Sequence, residues 1–160
     1  DKVFSENKHL TRKQIMTQLE EIFQVNIIII PKEPNEMTGH ADGIVRYYNS
    51  DTVLINQYKR TVSENFEIKL KRALKVGGLH AIEIPYSTAH SNTQSADGLY
   101  INFLQLKDFI LLPIFEFDED EKTIELFEQL YPNNKIKSIN SREISKLGGI
   151  LNCISWNIKI

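Results

Sequence analysis

One cysteine, Cys153, and a closely spaced pair, His40 and Asp42, are the residues of this sequence best suited to carry out chemistry. A cysteine thiolate is a strong nucleophile when a partner takes its proton, and histidine is the usual partner. One residue separates His40 from Asp42, so an extended segment would place both side chains on one face. This pattern predicts an acid/base group beside a carboxylate that can hold a cationic substrate.

Each of these residues also has an ordinary structural interpretation. Free cysteine is often a small buried hydrophobic residue, and Cys153 falls in a segment, 150–156, whose composition predicts a strand. Asp42 and Gly43 form a common turn pair. A metal site is disfavoured, because no third or fourth ligand stands at useful spacing. Residue types alone therefore leave both the structural and the catalytic interpretation open.

Composition limits the class of protein. The chain has 160 residues, 41% of them hydrophobic and 25% charged, which is enough for a single core and argues against disorder. Lys and Arg number 19 against 21 Asp and Glu, so a net charge of −2 gives no basic surface for nucleic acid. A lone cysteine excludes an internal disulfide framework.

Targeting and cofactor signals are also missing from the sequence. The longest apolar run, 27–30, is too short to cross a bilayer, and the first residues lack the apolar segment of a signal peptide. No glycine-rich phosphate motif occurs. We therefore expect a cytoplasmic protein without a membrane segment, a nucleic-acid partner, a metal or a cofactor.

The elements that must position these residues follow a repeated pattern. From Gly43 the sequence predicts a hairpin, a helix that opens at a capping box of Thr61 and Glu64, and a further strand. The same order restarts at Gly98, which occupies the place of Gly43 in the next unit. The predicted elements are strands 44–48 and 52–56, a helix after 61, strands 81–85, 99–104 and 109–113, a helix from 118, a strand 136–139 and a helix 142–146.

The first 42 residues predict the later part of another such unit. Thr11 and Gln14 form a capping-box pattern that opens a helix, and the segment 25–30 predicts a strand. The helix carries one apolar stripe, made of Ile15, Leu19, Ile22 and Phe23. We thus expect one α/β (α+β) domain over 1–160, made of a partial module over about 1–42, a module over 43–97, and a module over 98–160 that ends in a strand carrying Cys153.

The repeated ββαβ units, the segment 39–43 (Gly-His-Ala-Asp-Gly) and the C-terminal segment 148–155 (Gly-Gly-Ile-Leu-Asn-Cys-Ile-Ser) together resemble the guanidine-modifying (pentein) superfamily. The greatest similarity is to the agmatine deiminase and bacterial (Porphyromonas-type) peptidylarginine deiminase family, over its C-terminal half. The segments 51–56 and 100–103 also resemble the cores of that family's modules. The resemblance implies part of a five-bladed α/β propeller of ββαβ modules around a central site.

The resemblance also implies residue roles. Cys153 would be the nucleophile, His40 the general acid/base, and Asp42 one of two carboxylates that bind the guanidinium group. The implied reaction hydrolyses agmatine, arginine or peptidyl arginine to a ureido product and ammonia through a covalent amidino-thioether, as in polyamine (putrescine) biosynthesis. The sequence departs from the family in two ways: the second carboxylate belongs to an earlier module, and Asn152 stands where agmatine deiminases usually have histidine.

Other functions stay open at this stage. Amidino transfer to an amine uses the same residue types as hydrolysis. A different alternative is a non-catalytic pentein-type binding module, or an inactive fragment that needs a partner half. The expected partners are therefore a small guanidino substrate and either a second copy of the chain or the missing N-terminal half.

Overall fold

The structure of the protein is a computed structural model that describes residues 2–34, 40–58, 64–87 and 95–158. Its helices are α1 (Lys2–Glu6), α2 (Arg12–Phe23), α3 (Glu64–Val76), α4 (Glu119–Leu130) and α5 (Arg142–Ser145). Its strands are β1 (Val45–Tyr47), β2 (Thr52–Asn56), β3 (His80–Ile84), β4 (Leu104–Gln105), β5 (Phe109–Ile114) and β6 (Lys135–Asn140). None of the described helices has the length and apolar character of a membrane span.

Two three-stranded sheets share one plan, which confirms the repeated ββαβ order. In the first sheet, β1 runs antiparallel to β2 and β2 runs parallel to β3. In the second sheet, β4, β5 and β6 repeat that arrangement. A parallel pair needs a crossover, and α3 and α4 supply it in the first and second unit. The capping box expected at Thr61 lies outside the described residues.

The two units share a hydrophobic core. Leu54 of β2 and Ile84 of β3 are fully buried and belong to the same cluster as the large side chains of the second unit. The second unit's largest members are Tyr100, Phe103, Phe115 and Phe127. Because the shared cluster is continuous, the position of one unit constrains the position of the other.

Helix α2 confirms one expectation and corrects another. Thr11 and Gln14 form the predicted capping box, in which each side chain bonds the other residue's backbone. The predicted apolar stripe is wrong at its end, since only Ile15 is buried while Ile22 and Phe23 are 71% and 61% exposed. The helix is therefore buried only near its start, with Leu19 half-buried and its last turn exposed.

Three predicted strands are absent from the described residues. The segment 25–30 pairs with no other strand there; its half-buried Ile28 packs against Gly77 instead. In the segment 99–104, Tyr100–Asn102 form a 3₁₀ turn, Phe103 is extended, and only Leu104 belongs to a strand, β4. All three residues of that turn are buried. They therefore lack the alternation of buried and exposed side chains that a half-buried strand shows. The segment 150–156 forms turns, described below with the site.

Two glycines with similar backbone conformation allow a test of the packing between the units. Gly78 and Gly98 have φ of 78° and 75°, but a Cβ on Gly98 would lie 2.2 Å from the carbonyl oxygen of Ser87, while Gly78 faces open space. We expect Gly78→Ala to cost about 1 kcal/mol, the strain of a left-handed residue. We expect Gly98→Ala to cost about 3 kcal/mol, because a steric clash with backbone adds to that strain.

Urea denaturation of the two variants and the parent chain measures this difference. Equal losses of stability in Gly78→Ala and Gly98→Ala would show that Gly98 is not packed against Ser87.

Candidate active site

Cys153 lies in a turn, and not in the predicted strand. The N–H of Ile154 donates to the carbonyl oxygen of Ile150 at 3.1 Å, a helical turn that uses the backbone groups a strand would offer to a neighbour. The thiol is exposed, which is contrary to the buried alternative. A Cβ on Gly149 would lie 3.0 Å from the Cβ of Cys153, so glycine permits the tight approach of the turn.

Asp42 meets Cys153 although 111 residues separate them along the chain. The thiol of Cys153 is 3.5 Å from Oδ2 of Asp42, and both residues are exposed. Asp42 sits in a 3₁₀ turn, Ala41–Gly43, so the expected extended segment with His40 and Asp42 on one face is wrong. The fold, and not strand alternation, places this carboxylate beside the thiol.

His40 immediately precedes the turn that carries Asp42, and its side chain is exposed. Across the described part of the chain, no hydrogen bond joins its imidazole to Asp42 or to Cys153. The structure therefore places His40 next to the turn without giving it a contact in the site. Its role as general acid/base stays a prediction.

Asn102 is a site residue that the sequence analysis missed. Its side chain is 1% exposed, and its Nδ2 lies 3.2 Å from Sγ of Cys153 and 3.4 Å from Oδ2 of Asp42. Its Oδ1 accepts from the backbone N–H groups of Asn152 at 3.1 Å and Cys153 at 3.3 Å. The signal in the sequence that could have identified it is the position of this amide within the largely apolar segment 99–104.

Asn152 and Arg46 complete the polar surroundings of the carboxylate. Nδ2 of Asn152 donates to Oδ2 of Asp42 at 3.1 Å, and its Oδ1 lies 3.4 Å from the guanidinium of Arg46. That guanidinium stacks 3.8 Å above the ring of Phe103 and donates to the carbonyl oxygen of the same residue. Burial lowers the pKa of Arg46, while the nearby charges of Tyr131 and Asp42 oppose that shift.

The repeat relates the site residues to one another. The number of residues from Gly43 to Gly98 equals the number from Gly98 to Cys153. The cysteine therefore stands where a third unit of the repeat would begin. Asp97 follows Asp42 by the same interval and so holds the equivalent position in the second unit. Its carboxylate accepts a hydrogen bond from the hydroxyl of Ser145. The start of a unit is thus where this fold presents polar side chains.

Metal binding finds no support in the geometry. Within the ranges that the structure describes, no three His, Cys, Asp or Glu side chains group so as to hold an ion. The expectation that the chemistry needs no metal or cofactor stays a prediction.

Solved structures define the class of fold. An agmatine deiminase from C. jejuni with substrate bound superposes with a TM-score of 0.76 at 24% identity, over 91% of this chain and 46% of that chain. A putative arginine deiminase from Porphyromonas gingivalis gives 0.73 at 20% identity, over 92% of this chain and 47% of that one. The chain therefore has the α/β fold of these structures, the pentein fold that its sequence predicted.

The family follows from the sequence profile of the Porphyromonas-type peptidyl-arginine deiminases, which matches residues 4–158. This chain belongs to that family. A putative agmatine deiminase of Latilactobacillus sakei is 27% identical over 95% of this chain and 50% of its own length. The agmatine deiminase of Pseudomonas syringae pv. syringae is 28% identical over 93% of this chain and 49% of its own length. The chain thus spans about half the length of the curated relatives it matches.

Replacing Arg46 tests the contact between the two units. Lysine keeps the charge but loses the planar stack on Phe103, so we expect Arg46→Lys to cost about 1 kcal/mol of stability. Arg142→Lys is the matched control, because Arg142 pairs with Glu116 on the exposed surface and such pairs stabilise little. Urea denaturation that shows the same stability for both variants would contradict the structural role of Arg46.

Proposed function

We propose that this chain carries the nucleophile and one substrate carboxylate of a cysteine-dependent deiminase. The enzyme hydrolyses the guanidinium group of an agmatine- or arginine-type substrate to a ureido product and ammonia. The observation that carries the proposal is the 3.5 Å approach of the thiol of Cys153 to the carboxylate of Asp42, both exposed. A nucleophile and an anion side by side suit an electrophile that is itself a cation.

Family membership supports the reaction class, and the relatives support the substrate. The matched family is named for peptidyl-arginine deimination, and the curated relatives are agmatine deiminases. Peptidyl arginine and agmatine both present a guanidinium group with one substituted nitrogen. We propose agmatine as the first substrate to test, because several of the relatives and structural neighbours carry that name.

Asp42 would orient the substrate through one oxygen. In the described part of the chain, the donors of Asn102, Asn152 and Cys153 all meet Oδ2 of Asp42. Oδ1 is therefore the atom placed to accept an N–H of the guanidinium group. The carboxylate's charge would favour the cation over a neutral analogue and hold its carbon near Sγ.

Attack by the Cys153 thiolate would form an S–C bond to the guanidinium carbon. His40 would protonate one unsubstituted nitrogen, whose C–N bond then breaks and releases ammonia. The product of this first half is a cysteine thioether whose amidino carbon carries the substituted nitrogen and the remaining unsubstituted nitrogen.

Hydrolysis would complete the cycle. His40, now neutral, would take a proton from water as the oxygen adds to the amidino carbon. The C–S bond then breaks, the electron pair returns to Cys153 as thiolate, and the carbon leaves as the ureido product. The remaining hydroxyl proton passes to the released ammonia, which becomes ammonium. The balance is one substrate cation and one water converted to one urea derivative and one ammonium ion.

Replacing Cys153 and Asp42 tests the assignment of roles. We expect Cys153→Ala to abolish ureido product while the protein still binds the substrate, since the nucleophile is lost and the carboxylate remains. We expect Asp42→Asn to lower kcat/KM on the order of 100-fold, because it removes the charge that orients the cation. Ammonia release and ureido product from agmatine and arginine provide the measurement.

Asp97→Asn is the matched control for Asp42→Asn, since Asp97 holds the equivalent place in the next unit and bonds Ser145. These assays use the longest natural protein that contains the chain, alongside the chain alone. Undiminished turnover in Cys153→Ala, or equal losses in Asp42→Asn and Asp97→Asn, would contradict the mechanism.

A second candidate is a non-catalytic module that assembles with another copy of the chain. It is favoured by a row of exposed apolar side chains immediately after Cys153, in which Trp156 is 87% exposed. Its other members are Ile154 and Ile158. Rows of this kind are typical of surfaces that another polypeptide covers.

Light scattering over a range of concentrations tests the assembly. We expect a mass above that of the monomer, lowered towards it by Trp156→Ser, because that substitution removes the largest apolar side chain of the row. Leu147→Ser is the control, since Leu147 is equally exposed, at 86%, but lies outside the row. A monomer at every concentration would remove this candidate.

A further inference from the structure

We propose that Asn102 is a positioning residue, whose amide holds the thiol of Cys153 and the carboxylate of Asp42 in one arrangement. The chemical purpose of that arrangement rests on the proposed function, whereas the contacts themselves do not. The local sequence does not show which residues Asn102 contacts, because its partners Cys153 and Asp42 lie 51 and 60 residues away.

The four contacts of the Asn102 side chain fix which way its amide points. Nδ2 faces Sγ of Cys153 and Oδ2 of Asp42, which accept, and Oδ1 faces two backbone N–H groups, which donate. Exchanging the two ends would set a carbonyl oxygen against a carboxylate and an amino group against two donors. Only one orientation pairs every group, so the side chain is locked.

Burial strengthens this constraint. Asn102 is 1% exposed, so water cannot replace a partner that moves away. The carbonyl oxygen of Asn102 also accepts from the N–H of Asn152 at 3.2 Å, which ties the backbones of the two turns together. The turn with the nucleophile is therefore attached to Asn102 by both backbone and side chain.

The contacts of Asn102 reduce the electrostatic repulsion between Cys153 and Asp42 in the proposed site. A thiolate at Cys153 and the carboxylate of Asp42 are two anions with 3.5 Å between Sγ and Oδ2, and they repel each other before a cation binds. The Nδ2 group of Asn102 donates towards both atoms. Asn102 therefore lowers the cost of keeping both anions together while the site is empty.

Alkylation of the cysteine measures this effect without any enzyme assay. The chain has one cysteine, so incorporation of iodoacetamide reports on Cys153 alone. We expect Asn102→Asp, which is nearly the same size, to slow alkylation of the folded chain at pH 8 by about tenfold, since it replaces a donor with a third anion. We expect Asn102→Ser to slow it less, because it removes the donor without adding charge.

Tyr100→Phe is the matched control. Tyr100 lies on the same turn and its hydroxyl donates to Asp120 at 2.7 Å in the buried interior, so this variant loses a buried hydrogen bond that does not touch Cys153. We expect its alkylation rate to stay within about twofold of the parent chain. In concentrated urea, where the contacts are gone, all the variants should react at one rate apart from a small effect of local charge.

Alkylation of Asn102→Asp at the parent rate or faster would overturn the proposal. So would variants at Asn102 that are unfolded without denaturant, because a positioning role requires the fold to persist without this side chain. A parent chain that makes no ureido product, but whose Asn102→Asp variant is alkylated slowly, would contradict the proposed function and leave the positioning role standing. In an active protein, Asn102→Asp should lower kcat more than it raises KM.

Discussion

The hydrogen-bonding requirement of one buried amide, that of Asn102, is the constraint on which the site depends. A buried polar group must keep its partners, and those of the Asn102 side chain are the N–H groups of Asn152 and Cys153, Sγ of Cys153 and the carboxylate of Asp42. Tyr100, on the same turn, points into the interior instead, where its hydroxyl donates to the buried carboxylate of Asp120. That carboxylate also accepts from the backbone N–H of Phe115.

A second set of contacts fixes the first unit against the second, and so fixes Asp42 against Cys153. The guanidinium of Arg46 on β1 stacks on Phe103, which follows Asn102. The hydroxyl of Tyr48 donates to the carbonyl oxygen of Leu130 at the end of α4, 82 residues away. Together with the shared core, these contacts explain how a carboxylate and a thiol on separate units come within hydrogen-bonding distance.

The sequence predicts the regular elements well where one face of an element is buried and the other is exposed. Helix α3 has such a pattern, with Phe66, Leu70 and Leu74 buried on one side. The strand 52–56 is buried on both faces, and it was predictable because its apolar run follows a turn and the same order of elements recurs in the second unit. Prediction failed where a buried apolar segment is not extended. The turn Tyr100–Asn102 is buried on all sides, and its apolar composition therefore resembles that of an interior strand.

The candidate site was predictable in its residue types and not in its geometry. A single cysteine, and an aspartate two positions after a histidine, made Cys153 and Asp42 candidates by chemistry and by family resemblance. The closeness of these two residues arises from contacts across 111 residues, which no local pattern encodes. Asn102 escaped notice for the same reason, since an isolated asparagine in an apolar run shows no partner in the sequence.

The central claim is that Cys153 forms a covalent bond to the guanidinium carbon, and mass spectrometry of the acid-quenched protein tests it most directly. During turnover of agmatine by the longest natural protein that contains the chain, we predict an adduct equal in mass to the substrate less one ammonia. Peptide mapping should place that adduct on Cys153. Product formation with the adduct on another residue, or with none under conditions where hydrolysis is slowed, would contradict the account.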